Sequence, residues 1–163
     1  MTKLQFFYDY ECPFCMRGYE YLTEHIKSRP DIEVEWRPIE LHPRPEDHSP
    51  HTNLACQCYY IARELEADIQ KFHTAMFQAV AIERRNVEDP QVLCGILEGI
   101  ADTARLRALL DSGKYAKQID ENNDLAYEKN GVWYLPALRM NGKKLDAKGG
   151  AGITADELKI FLG

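Results

Sequence analysis

The sequence has little that would place it in a membrane or on a nucleic acid. No apolar run approaches the roughly 20 residues of a membrane-spanning helix. No basic start is followed by the apolar stretch of a signal peptide. Acidic residues outnumber basic ones, 26 to 20, and the net charge of -6 disfavours anionic partners. We therefore expect a cytoplasmic protein with no nucleic-acid partner and no membrane partner.

Cysteines are few, and their number is odd. Five thiols cannot all pair in disulfides, which suits a reducing compartment. A single C-x-x-C spacing occurs, at Cys12 and Cys15, whereas a four-cysteine zinc ribbon needs two. With 163 residues, 45% of them hydrophobic, the chain is long enough for one domain with a proper core.

The C-x-x-C pair lies where an apolar strand runs into a turn and a helix start. With Cys12 as N-cap, Pro13 takes the first helical position, where its missing N–H costs nothing. Cys15 then lies at the same helix end, so the two sulfurs can meet. Free amides at this end stabilise a thiolate on Cys12. The pattern predicts a redox pair, with Cys12 as nucleophile and Cys15 as resolving thiol.

Periodicity predicts a strand–helix–strand unit at the start of the chain. Residues 3–9 are apolar on both faces, which is typical of a central strand. The following helix carries an apolar stripe and ends at Arg29-Pro30. Residues 32–37 alternate apolar and charged side chains, which predicts a second strand with one wet face.

A helical block interrupts the sheet. Four prolines between residues 38 and 50 exclude a regular element and favour a subdomain boundary. Helical periodicity then continues to Asn130. The predicted domains are a sheet-containing domain of residues 1–45 and 131–163, and an inserted helical subdomain of residues 46–130.

The sheet resumes near the end of the chain. Residues 133–140 have strand character, and Asn141-Gly142 is a two-residue hairpin signal. We expect Trp133 and Tyr134 to lie in the core rather than beside a substrate groove. Thr154 and Glu157 form a capping box that predicts a last helix.

This order of elements resembles the thioredoxin fold. The helical block between the second and third strands resembles the DsbA-like branch of thiol–disulfide oxidoreductases, including its cytoplasmic FrnE-like members. In specific residues, the resemblance rests on the Cys12–Cys15 motif, Leu135-Pro136 and the glycine turn at residues 149–152. It implies an α/β thioredoxin-like fold with a helical insertion between the second and third core strands, and a protein disulfide oxidoreductase.

The resemblance also implies roles for particular residues. Cys12 matches the attacking cysteine, Cys15 the resolving cysteine, and Pro136 the cis proline that packs beside the dithiol. The backbone of Leu135 would pair with an extended substrate as an added strand. Two motif residues complete the predicted substrate-binding set, Pro13 and Phe14. The expected partners are protein or small-molecule thiols and disulfides, with no bound cofactor, and the oligomeric state stays undetermined.

Two residues depart from the family pattern. Phe14 stands where strongly oxidising members carry a histidine, and it cannot donate a hydrogen bond or a positive charge to the Cys12 thiolate. Glu11 disfavours a second negative charge beside it, although Arg17 can offset this. We therefore predict a less oxidising couple than the histidine-containing type. Leu135 is bulkier than the residue usual before the cis proline, which affects substrate choice.

A second family shares the helical insertion. Kappa-class glutathione transferases and 2-hydroxychromene-2-carboxylate isomerases typically show serine at the first motif position and bind glutathione. The presence of both Cys12 and Cys15 favours disulfide exchange, with glutathione still possible as a co-substrate. The alternative function is a glutathione-dependent transferase or isomerase.

Other cysteines and histidines raise the question of a metal site. Four possible zinc ligands fall within eleven residues: His48, His51, Cys56 and Cys58. On a helix, Cys56 and Cys58 point about 200° apart, so one ion can hardly take both. We predict no metal site, with Cys58 in the core, Cys56 an incidental thiol, and Cys94 a core cysteine.

Overall fold

The computed structural model describes all residues, Met1–Gly163, and contains one four-stranded sheet in the order β2-β1-β3-β4. The strands are β1 Thr2–Tyr8, β2 Ile32–Pro38, β3 Ala137–Met140 and β4 Lys143–Asp146. The central strand β1 pairs parallel with β2 and antiparallel with β3. Because it is covered on both faces, its successive side chains Phe6, Phe7 and Tyr8 are all buried, as the sequence predicts.

Seven α-helices surround this sheet. They are α1 Pro13–Ile26, α2 Asn53–Glu64, α3 Ile69–Phe77, α4 Pro90–Leu97, α5 Thr103–Ser112, α6 Ala116–Asp124 and α7 Ala155–Leu162. Single π-helical turns, Gln78–Ile82 and Leu125–Lys129, extend α3 and α6. The longest helix, α1, has 14 residues, and no helix of the chain has the length and hydropathy of a membrane span.

Helices α2 to α6 lie between β2 and β3 in the chain, which confirms the predicted thioredoxin-like fold with a helical insertion. The insertion shares one hydrophobic core with the sheet. Tyr8 and Tyr10, at and just beyond the end of β1, contact Phe77 of α3 at ring-centroid distances of 5.8 and 5.0 Å. The boundaries drawn at residues 45/46 and 130/131 stay a prediction.

Local signals place most element ends. The Thr154–Glu157 capping box is formed, with both reciprocal hydrogen bonds present. Asn141 and Gly142 both adopt positive φ, 50° and 74°, in the two-residue turn between β3 and β4. The structure differs from the sequence prediction in the end of one helix and the start of one strand. Helix α1 ends at Ile26, before Arg29-Pro30, and β3 begins only after Pro136, which has no N–H to give to a ladder.

Candidate active site

The turn between β1 and α1 holds the two cysteines at the helix start. Cys12 is the N-cap, with extended backbone, and Pro13 occupies the first turn. The Cys12 Sγ accepts the backbone N–H of Cys15 at 3.3 Å. Cys12 is 7% exposed and Cys15 is fully buried, and both are free thiols. Both cysteines are therefore largely enclosed, and only Cys12 keeps a small exposed surface that a partner could approach.

The two thiols have opposite electrostatic environments. A hydrogen bond from the Cys15 thiol, helped by the backbone N–H groups of Cys15 and Phe14, lowers the pKa of Cys12 against the effect of burial. Burial, and then the hydrogen bond and charge of Cys12, raise the pKa of Cys15 well above its usual value. The first proton to leave the pair therefore leaves from Cys12, and the resulting thiolate is the reactive one.

The loop before β3 brings Leu135 and Pro136 against the dithiol. Their peptide bond is cis, and the Leu135 carbonyl oxygen lies 3.9 Å from the Cys12 Sγ. Neither the N–H nor the carbonyl of Leu135 hydrogen-bonds to another backbone group. This short stretch of backbone beside the nucleophile is free to pair with an extended chain.

Phe14 is the second motif residue between the cysteines. It is half-buried, whereas Pro13 is exposed. Gly152, at φ +69°, lies so close to the Phe14 ring that a Cβ there would meet it at 3.0 Å. The Arg17 guanidinium stands 5.7 Å from the ring centroid on the same helix. The glycine turn at residues 149–152 thus borders the dithiol through Phe14.

Trp133 and Tyr134 do not lie in the core, and the expectation that they would was wrong. Trp133 is 81% exposed and Tyr134 is 49% exposed. The Tyr134 ring covers Gly149, where a Cβ would come within 2.9 Å of it. The physical reason is that the chain has not yet entered the sheet, because the ladder begins after Pro136. Together they form an exposed aromatic edge next to Leu135.

Sequence reasoning missed Asp9, a fully buried carboxylate directly after β1. It accepts hydrogen bonds from the amides of Glu11 and Leu41, at 3.3 and 2.8 Å, and from the Thr52 hydroxyl at 3.0 Å. Burial and the nearby charge of Glu11 raise its pKa to about 7. The sequence did carry one signal for this residue, namely an acidic side chain at the end of an otherwise apolar central strand.

The four possible zinc ligands of the sequence do not meet. Cys56 and Cys58 are fully buried, and Cys56 lies against the carbonyl of Ile39 at 3.7 Å, so its predicted role as an incidental thiol gives way to a place in the core. Cys94 is only partly buried and packs at the edge of the core. His48 instead pairs with Glu11, with its Nε2 2.9 Å from the Glu11 Oε2.

Comparison with known proteins agrees with this geometry. The family model described as a DSBA-like thioredoxin domain matches residues 3–155. The uncharacterized protein YwbO of Bacillus subtilis is 26% identical over an alignment that covers 84% of this chain and 86% of that protein. The chain belongs to the DSBA-like thioredoxin domain family, which confirms the predicted class, a DsbA-like oxidoreductase.

Solved structures give the same fold. DsbA of Pseudomonas aeruginosa superposes with a TM-score of 0.76 at 18% identity, over 99% of this chain and 80% of that one. A probable DsbA oxidoreductase from Streptomyces coelicolor superposes with a TM-score of 0.80 at 14% identity, over 99% and 88%. The family match favours an oxidoreductase over the glutathione-dependent transferase or isomerase. The FrnE-like cytoplasmic branch stays a prediction.

Proposed function

We propose that this protein catalyses thiol–disulfide exchange through the Cys12-Pro13-Phe14-Cys15 dithiol. The observation that carries the proposal is the position of the Cys12 sulfur. It caps α1, accepts the Cys15 amide, and faces the backbone of Leu135. The substrates are protein or small-molecule thiols and disulfides, and the cysteine pair itself is the redox group, with no bound cofactor.

The proposed exchange has two steps. The Cys12 thiolate attacks one sulfur of a substrate disulfide, whose S–S bond breaks, and the released substrate thiolate takes up a proton. The Cys15 thiol then loses its proton and attacks the Cys12 sulfur. This frees the second substrate thiol and leaves a Cys12–Cys15 disulfide, so the substrate gains two electrons and the enzyme loses two. The reverse sequence oxidises a substrate dithiol.

The different accessibility of the two sulfurs supports this division of roles. A substrate sulfur can reach Cys12, which has the lower pKa, whereas Cys15 is enclosed by protein. Cys15 can therefore act only on a sulfur already bonded to Cys12. The backbone N–H and carbonyl of Leu135 make no hydrogen bond to other backbone groups, so we propose that they pair with an extended substrate, with Pro13 and Phe14 beside it.

Insulin reduction by dithiothreitol, with and without the protein, tests the assignment. We expect Cys12→Ser to lose catalysis. We expect Cys15→Ser, incubated with insulin in the absence of dithiothreitol, to accumulate a mixed disulfide that mass spectrometry detects. Cys94→Ser is the matched control, because Cys94 lies at the core edge away from the motif. Equal turnover by wild type and Cys12→Ser would contradict the proposal.

The direction of electron flow follows from the reduction potential of the couple. We propose a cytoplasmic enzyme, in which a potential below that of the glutathione pool corresponds to a reductase. Equilibration of the Cys12–Cys15 couple in glutathione buffers gives this potential. The same titration shows whether glutathione forms a mixed disulfide with Cys12 and therefore serves as a co-substrate.

A further inference from the structure

The surface beside the dithiol carries a cluster that disulfide exchange does not use. Glu11 precedes the attacking cysteine, and His42 and His48 come from the loop after β2. One potential ligand atom from each of the three lies within 4.8 Å of the others. The imidazole rings of His42 and His48 stack with centroids 4.0 Å apart and planes 24° apart, so one ring has to rotate before both rings can direct a nitrogen at a single ion. All three side chains are half-buried.

The hydrogen bonds of His42 define which of its nitrogens is free. Its Nδ1 lies 2.8 Å from the Glu46 carboxylate and donates a hydrogen bond to it, which leaves Nε2 as the nitrogen available to an ion. The Nε2 lies 3.7 Å from the Glu11 Oε1, which is too far for a hydrogen bond. A cation held between this nitrogen and the carboxylate oxygen would be attracted to both.

We infer that Glu11, His42 and His48 bind a divalent transition-metal ion, with Zn²⁺ as the favoured species. Two imidazole nitrogens and one carboxylate oxygen are a ligand set that zinc takes at three positions, leaving a fourth for water. His48 Nε2 already lies 2.9 Å from Glu11 Oε2, and Glu46 orients His42 from outside, as carboxylates commonly do for metal-bound histidines.

A bound ion would join two parts of the chain that are far apart in sequence. Glu11 belongs to the turn before α1, whereas His42 and His48 lie in a loop, residues 39–52, that contains neither helix nor strand. An ion that binds only the folded state raises the free energy of unfolding with the logarithm of its concentration once that concentration exceeds Kd. This site goes beyond disulfide exchange, and its test does not depend on that activity.

The experiment must first remove the competing zinc ligands of the dithiol. The double variant Cys12→Ser/Cys15→Ser is titrated with ZnCl2 by calorimetry and by competition with a chromophoric chelator. We expect one equivalent of zinc to bind and the melting temperature to rise with zinc concentration. Cobalt at the same site should give d–d bands without a sulfur-to-metal charge-transfer band.

Single substitutions in that background locate the site. We expect His42→Ala, His48→Ala and Glu11→Gln each to weaken binding by at least about 100-fold, and Glu46→Gln by about 10- to 100-fold. His25→Ala on α1 is the matched control and should leave affinity unchanged. Circular dichroism confirms that each variant is folded.

Two results would overturn the inference. One is the absence of stoichiometric zinc binding to the thiol-free protein, which would mean that the cluster is an ion-pair network alone. The other is unchanged affinity in the folded Glu11→Gln and His48→Ala variants, which would place any bound zinc elsewhere.

Discussion

Gly18 of α1 lies directly against the ring of Pro136. A Cβ at position 18 would meet the Pro136 Cγ at 2.9 Å, and Phe6 of the central strand at 3.6 Å. No ordinary side chain fits in this space without displacing the ring. The absence of a side chain at Gly18 therefore allows the loop with Leu135 to approach the Cys12 sulfur.

Gly18→Ala should damage both stability and activity. Overpacking of this kind costs about 1–3 kcal/mol, of which the better helix propensity of alanine recovers up to about 1 kcal/mol. Because Pro136 would shift, insulin reduction should fall more than the loss of folded protein explains.

Gly95→Ala on α4 is the matched control. Its nearest neighbour would be 3.9 Å away, so it should stabilise by about 0.5–1 kcal/mol and leave activity unchanged. Equal effects of the two substitutions would contradict this packing argument.

Phe14→His should make the couple more oxidising. A histidine here can donate a hydrogen bond to the Cys12 thiolate, which phenylalanine cannot do. Such a bond to a charged group is worth about 1.5–3 kcal/mol, and stabilising the reduced form by that amount raises the potential by about 30–60 mV. Glutathione equilibration measures the change. Phe14→Leu, without a donor, should stay near wild type, and a similar rise for both variants would rule out this cause.

The features predicted correctly from the sequence are those fixed by neighbouring residues. Cys12 and Pro13 define a helix start by themselves, Thr154 and Glu157 cap one, and Asn141-Gly142 supplies the positive φ values of a tight turn. Alternating and two-sided apolar patterns likewise separate the edge strand β2 from the central strand β1. Such local constraints determine the element order, and the element order determines the fold.

The features that were missed depend on residues far apart in the chain. Glu11 and His48 are separated by 37 positions in the chain, and Asp9 and Thr52 are separated by 43. No local sequence pattern predicts a contact over such a separation. Trp133 is as apolar as a core residue, and its exposure follows from the path of the loop before Pro136. The dithiol itself could be predicted from the sequence, whereas the residues around it could be identified only from the structure.

His73 should make the fold sensitive to acid. It is buried on α3, its Nδ1 lies 3.2 Å from the Tyr10 hydroxyl, and its Nε2 has no partner. Burial lowers its pKa from 6.5 to about 3. Below pH 6.5 His73 takes up a proton in the unfolded chain but not in the folded protein. Its contribution to the free energy of unfolding is therefore fully present above pH 6.5 and is lost as the pH falls toward 3.

His73→Phe isolates that contribution. Between pH 7 and pH 5 the free energy of unfolding of wild type should fall relative to the variant by about 2 kcal/mol. Urea unfolding at pH 5, 6 and 7 gives this difference, in which other titrating groups cancel. A difference that stays constant with pH would mean that His73 titrates alike in both states.

Trp133→Ala should weaken the use of protein substrates while leaving the fold intact. Because the side chain is 81% exposed, its truncation should change the free energy of unfolding by less than about 0.5 kcal/mol. An aromatic anchor beside Leu135 would contribute about 1–2 kcal/mol to substrate binding, which corresponds to a rise in KM of about 5- to 30-fold for a disulfide-containing protein. Oxidised glutathione offers a much smaller contact surface than a protein, so its turnover should change less than that of the protein substrate. Ile160→Ala is the matched control, since Ile160 is equally exposed, at 81%, and lies on α7 and not in the loop that leads to Leu135. If Trp133→Ala and Ile160→Ala have the same KM for the protein substrate, the aromatic edge takes no part in binding it.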